Sequence, residues 1–151
     1  MKKLLVFIIV FFSCNKNPDD LCSKKKLDSK SYFIVSNQPL VYLNKKASNS
    51  IKKWSEFHKL QISVEAIKKT SSDKLLEQLN QINTNLIEIS DSDYPKDLNN
   101  YKLNLKFGDF ENKLIVIKKK FCKSSKDELR ININSLIDSF NNLKKFINAN
   151  L

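Results

Sequence analysis

Three stretches in the second half of the chain repeat apolar residues at alternating intervals of four and three positions. They span residues 72–90, 97–122 and 125–149. Residues spaced in this way lie on one face of an α-helix, so each stretch predicts an amphipathic helix. The apolar positions are Leu75, Leu79, Ile82, Leu86 and Ile89 in the first stretch, Leu103, Phe107, Phe110, Leu114, Ile117 and Phe121 in the second, and Leu129, Ile133, Leu136, Phe140, Leu143 and Ile147 in the third.

A further helix is predicted at residues 49–69, where apolar residues recur less regularly. Thr70 and Asp73 fit a capping box for the helix that follows, and Ser124–Glu128 offers two overlapping boxes for the last helix. Amphipathic helices joined by short turns bury their apolar stripes against one another. The sequence therefore predicts an all-α fold, an antiparallel up-and-down bundle of three to four helices.

Residues 32–43 do not follow the helical period. Two apolar runs, 32–35 and 40–43, flank Asn37-Gln38-Pro39, and the aromatic and β-branched content is compatible with a hairpin. A short extra helix packed on the bundle is the alternative, and the sequence leaves both open. Gly108, the single glycine of the chain, lies inside a predicted helix and indicates either a kink there or close approach of a neighbouring helix.

The first 14 residues, MKKLLVFIIVFFSC, differ from everything that follows. Lys2 and Lys3 precede nine apolar residues, and Ser13 and Cys14 end the stretch. A basic start, a short apolar run and a small residue are typical of an export signal. The run is shorter than the roughly 20 residues that span a bilayer, so it predicts a targeting segment rather than a membrane helix.

Met1–Cys14 resembles the signal peptide of bacterial lipoproteins, in which a small residue precedes a cysteine that is acylated and becomes the mature N-terminus. Ser13 and Cys14 fit that pattern, whereas Phe11 and Phe12 stand where leucine and a small residue are usual. The resemblance implies that Cys14 carries a diacylglyceryl group and an N-acyl chain such as palmitate, and two or more chains give stable anchoring. Asn15, in a position where aspartate often signals inner-membrane retention, favours the outer membrane.

The chain is accordingly divided into three parts. Residues 1–13 are interpreted as the signal peptide, residues 14–30 as the lipidated cysteine with a polar, flexible tether, and residues 31–151 as one helical domain. The predicted location is the cell envelope, with the protein held on the membrane through acylated Cys14.

The two remaining cysteines, Cys22 and Cys122, are a possible disulfide, because compartments outside the cytoplasm permit such bonds. Closing so long a loop would stabilise the fold by about 3–5 kcal/mol. Two free thiols are the alternative. Two cysteines and the distant His58 do not have the spacing of a zinc site, so no metal is expected.

The formal net charge is +11, and it falls to +9 when Lys2 and Lys3 are removed with the signal peptide. Of the 27 basic residues only Arg130 is an arginine, whereas bidentate recognition of phosphates or bases favours arginine. We interpret most lysines, including Lys118-Lys119-Lys120 at a predicted helix end, as a solvated surface. Attraction to an anionic membrane or wall polymer is the alternative, and nucleic acid is not expected.

The sequence contains no catalytic constellation. His58 is the only imidazole, no Glu-x-x-His motif is present, and one glycine excludes a glycine-rich phosphate loop. We therefore predict no cofactor and no enzymatic activity. The predicted function is that of a lipid-anchored envelope lipoprotein with a binding or scaffolding role towards an unknown protein partner. The alternative is an immunity or exclusion lipoprotein that neutralises a toxin or phage component. The sequence leaves the oligomeric state open.

Overall fold

Five helices and two short strands make up the part of the chain that the computed structural model describes, residues 31–98 and 101–151. About two thirds of these residues are helical, which confirms the all-α class. The predicted signal peptide, Cys14, the tether and Cys22 all lie outside the described residues. In chain order the elements are β1 (Phe33–Val35), α1 (Lys45–Ser50), α2 (Ser55–Ile67), β2 (Lys69–Ser71), α3 (Leu75–Ser90), α4 (Tyr101–Lys120) and α5 (Lys126–Asn150).

The three regular apolar stripes form most of the core. Every stripe position in α3, α4 and α5, together with Phe121 just after α4, is buried. One of the two capping boxes predicted for α5 is present: Ser125 Oγ accepts from the Glu128 N–H, and the Glu128 carboxylate accepts from the Ser125 N–H. Because these signals are local in sequence, they place α5 within one residue of its predicted bounds.

The helix predicted at 49–69 is wrong in its extent, because the chain forms α1 and α2 with a break between them. Asn44 starts α1 by accepting from the Ala47 N–H at 2.8 Å. After the break, Trp54 is buried and its indole N–H donates to Ser92 Oγ at 3.0 Å. Ile51 and Trp54, which lie between the two helices, are both buried.

Residues 32–43 form neither the predicted hairpin nor the predicted helix. β1 pairs instead with β2 in an antiparallel two-stranded sheet, with Phe33 opposite Ser71 and Val35 opposite Lys69. β2 uses Thr70, so the capping box predicted for Thr70 and Asp73 is also wrong, and α3 begins only at Leu75 with no side-chain cap.

The longer helices pack as two pairs, α2 with α3 and α4 with α5. Lys59 Nζ lies 2.8 Å from the Glu88 carboxylate, and Ser63 Oγ accepts from Asn85. Because the partner number falls as the α2 number rises, α2 and α3 run antiparallel. The stacked rings of Phe57 and Phe140, with centroids 5.9 Å apart, connect the two pairs.

Gly108 does not mark a close contact within the domain. A Cβ built on this residue meets no atom within 4 Å, so the predicted close approach of a neighbouring helix is wrong. Helix α4 continues through this position from Tyr101 to Lys120. Among the described helices, none has a stretch that is long and apolar enough to cross a bilayer.

Candidate functional site

Residues 36–44, which we call the strap, lie along α5 without forming a strand or a helix. Ser36 Oγ donates to Asn134 Oδ1 at 2.6 Å, and Gln38 Nε2 donates to the Asp138 carboxylate. Further along, the strap contacts Asn141 and then Asn148. Residue numbers rise together on both sides, so the strap runs parallel to α5.

Two asparagines bind the strap backbone in the same way. Asn141 accepts from the Val41 N–H at 2.8 Å and donates to the Pro39 carbonyl at 2.7 Å. An amide side chain has both a donor and an acceptor, so it can satisfy the N–H and C=O groups that a neighbouring β-strand would otherwise pair.

Asn148 repeats this arrangement one step later. It accepts from the Asn44 N–H at 2.8 Å and donates to the Tyr42 carbonyl at 2.9 Å. Between the two sites the strap advances three residues, about 10 Å of extended chain, while α5 advances seven residues, about 10.5 Å of helix. The two distances match, so an extended peptide can follow the helix without losing register.

The sequence of α5 contains a polar pattern that is related to this arrangement, but it is less evident than the apolar stripe of the same helix. The strap is held by a polar stripe at intervals of four, three and seven residues on α5. When α5 is considered alone, these residues resemble an ordinary solvated helix face, because the neighbouring sequence does not indicate which segment they bind. The polar stripe consists of Asn134, Asp138, Asn141 and Asn148.

Lys144 is the most unusual side chain near the strap. It is 0% exposed, and its Nζ has no hydrogen-bond partner among the described residues. The Nζ lies 5.4 Å from the ring centroid of Phe140 and 5.7 Å from that of Tyr42, within the range of cation–π attraction. Burial lowers the pKa of Lys144, and the negative charge of Glu65 opposes that shift. The strap thus places the ring of Tyr42 within cation–π range of a desolvated amine.

The predicted site residues are distributed as follows. Cys14 and Cys22 lie outside the described residues. Cys122 is half-buried in the turn after α4 and is disulfide-bonded, while its partner lies outside the described part, so the Cys22–Cys122 pairing stays a prediction. His58 is half-buried on α2. Within residues 31–98 and 101–151, no three His, Cys, Asp or Glu side chains are grouped to hold a metal ion.

A pocket of about 360 Å³ lies between α4 and α5. Its lining is polar and includes Asp109, Lys113 and Asp138, the last of which also accepts from the strap. His58 is not part of this lining, so the chain's one imidazole does not meet these carboxylates. No family model, curated protein or solved structure matches this chain.

Proposed function

We propose that this chain is a lipid-anchored lipoprotein of the bacterial cell envelope with a non-enzymatic binding or scaffolding role. The observation that carries the proposal is the order of features in Met1–Cys14: two lysines, a short apolar run, then Ser13 and Cys14. Acylated Cys14 would hold the helical domain at the membrane, with the outer membrane favoured by Asn15.

Two features of the domain support this proposal. Cys122 is disulfide-bonded, and disulfides are typical of compartments outside the cytoplasm. In the sequence, residues 15–30 between the predicted anchor and the helical domain are mostly polar, as expected of a tether. We also propose an up-and-down order for the four longer helices, supported by the antiparallel contacts of α2 and α3 and the five-residue turn between α4 and α5.

A binding role is supported by apolar side chains that the fold leaves uncovered. On α4, Tyr101, Leu105 and Val116 are exposed, and Gly108 leaves open space on the same helix. The face of α5 beside the strap is different, because the strap itself occupies it. Any protein partner is therefore expected to contact α4 rather than the polar stripe of α5.

The proposal is tested by producing the full chain in a bacterial host supplied with labelled palmitate. We expect label on the protein and a mature mass that begins at Cys14 with added acyl chains. Cys14→Ala should abolish labelling and leave an uncleaved precursor, whereas the matched control Cys22→Ala should remain labelled. An unlabelled native chain that retains Met1 would refute the lipoprotein assignment.

A second variant tests the membrane. Asn15→Asp should move the acylated protein from the outer-membrane to the inner-membrane fraction on density separation, because aspartate at this position often signals retention in proteins with such a signal. Asn17→Asp adds the same charge two residues later and should leave the distribution unchanged. Equal distributions for all three proteins would contradict the outer-membrane assignment.

A further inference from the structure

One end of the domain, which we call the basic end, consists of residues 31–35, 68–73 and 118–130. Two contacts bring these segments together. Lys126 Nζ lies 5.6 Å from the ring centroid of Tyr32, and Ser31 Oγ donates to the Asp73 carboxylate at 2.5 Å. The turn between α4 and α5 therefore lies beside the two-stranded sheet.

Positive charge predominates at the basic end. Residues 118–130 contain five lysines and Arg130, and Lys68 and Lys69 add two more, against three carboxylates in the whole set. Each carboxylate already has a local partner: Asp73 accepts from Ser31, Asp127 pairs with Arg130 at 3.1 Å, and Glu128 caps α5. The excess lysines are thus left to face solvent or an anionic surface.

Apolar side chains lie on the outer face of the sheet at the same end. Ile34 points into the core, so its strand neighbours point outward, and Phe33 is 62% and Val35 46% exposed. Residues opposite each other in an antiparallel pair share a face, which places Lys69 beside Val35 and Ser71 beside Phe33. An aromatic and an aliphatic side chain flanked by lysine are typical of surfaces that enter a lipid headgroup layer.

Ser31, which contacts Asp73, also lies at this end and is 17 positions after Cys14 in the sequence. A chain of 17 residues spans at most about 60 Å, so an acylated Cys14 would keep Ser31 within that distance of the bilayer. Disulfide-bonded Cys122 lies in the turn at the same end. If Cys14 is acylated, the bilayer is the nearest large surface to the basic end.

We propose that the basic end docks on an anionic bilayer, with Phe33 and Val35 at headgroup depth and the surrounding lysines facing lipid phosphates. This proposal rests on the lipoprotein assignment and adds an orientation to it. The opposite end, with α1 and the N-terminus of α4, then faces away from the membrane, which leaves Tyr101 available to a partner.

The test uses the acylated full-length product in vesicles that contain brominated lipids, which quench tryptophan at the membrane surface. Phe33→Trp places a probe at the basic end, and Tyr101→Trp places one at the other end, where the residue is also largely exposed. Buried Trp54 supplies the same background in both proteins. We expect about twofold greater quenching for the Phe33→Trp probe in anionic vesicles, and loss of that difference at high salt.

Charge reversal supplies a second readout. Lys69→Glu with Lys126→Glu should abolish the additional quenching of the Phe33→Trp probe, whereas the matched pair Lys45→Glu with Lys52→Glu, at the other end, should leave it unchanged. Equal quenching of the two probes, or quenching that is insensitive to both salt and lipid charge, would overturn the docking proposal.

The mass of the same preparation separates the two proposals. An acylated protein whose probes are quenched equally refutes docking and leaves the lipoprotein assignment standing. A chain without acyl mass that still shows salt-sensitive quenching of the Phe33→Trp probe supports docking and refutes the anchor. A probe at residue 33 that is shielded only as protein concentration rises, without lipid, would assign this face to contact between copies and contradict docking.

Discussion

The two long faces of α5 bind the rest of the domain through different types of interaction. The apolar face, with Ile133, Leu136 and Phe140, is buried against other helices, and this burial stabilises the fold without requiring directional contacts. The polar stripe binds one segment in one register, because each asparagine must meet a particular N–H and C=O group. One face therefore supplies most of the stability, and the other determines where residues 36–44 lie.

The largest expected effect comes from the apolar face. Leu136→Ala removes a side chain with no exposed surface and should lower the free energy of unfolding by about 2–5 kcal/mol, through lost burial and a residual cavity. Urea titration followed by circular dichroism measures this change. Ile131→Ala, on the same helix but 61% exposed, should change it by less than about 0.5 kcal/mol. Equal effects would contradict the assigned orientation of α5.

The polar stripe should show a smaller and more local effect. Asn141→Leu leaves the Val41 N–H and the Pro39 carbonyl without their partner and should cost about 2 kcal/mol. Amide hydrogen exchange should accelerate at Val41 while amides in the middle of α3 keep their protection. Asn142→Leu changes the exposed neighbouring residue and should leave the Val41 rate unaltered. Uniform acceleration across the domain would show that the strap is not a separate unit.

Lys144 lies at the boundary between the apolar face and the polar stripe, and its replacement tests the effect of a buried charge there. Lys144→Met keeps the length of the side chain and removes a buried charge that has no hydrogen-bond partner in the described part, so it should stabilise the fold by about 1 kcal/mol. Lys145→Met, at the exposed next residue, should have almost no effect.

The pH dependence of this difference has a defined sign. The pKa of Lys144 is lowered in the folded state, so at high pH the unfolded chain holds a proton that the folded chain has lost, and wild-type stability rises there. The advantage of Lys144→Met should therefore be full below the lowered pKa and shrink as pH rises towards 10.5. An advantage that stays constant up to that pH would indicate a packing effect instead.

The smallest expected change in stability comes from a residue on α4, outside both faces of α5. Gly108→Ala on α4 adds a methyl group that meets open space and reduces the freedom of the unfolded chain, so it should stabilise the fold by about 0.8 kcal/mol. Thermal unfolding measures it. This change in stability is a reference for the other variants, because it reports backbone propensity without any new side-chain contact. A loss of stability would show that a neighbouring group approaches Gly108 after all.

The sequence could predict the parts of this fold that depend on local periodicity. The stripes of α3, α4 and α5 are buried as the spacing indicated, and the Ser125–Glu128 box starts α5, since both signals lie within a few turns of helix. The pairing of β1 with β2 could not be predicted in this way. Its partners are more than thirty residues apart, and three-residue strands carry almost no pattern of their own.

The candidate sites also differ in whether a local sequence pattern could predict them. Cys14 could be proposed from an uninterrupted motif, and it stays a prediction because it lies outside the described residues. Lys144 could not be found from the sequence, because a lysine beside an apolar stripe is normally solvent-exposed. One of the two rings near its Nζ belongs to Tyr42, a residue about a hundred positions earlier in the chain.

The contacts of the strap also set an order of assembly. Ser36, Val41 and Asn44 bond to residues 98 to 104 positions later in the chain. During synthesis the strap leaves the ribosome early, and its binding stripe is among the last segments to emerge. The strap backbone therefore gains these hydrogen-bond partners only after α5 has been synthesised. Removal of residues 134–150 would take away all four side chains of the polar stripe that bind the strap.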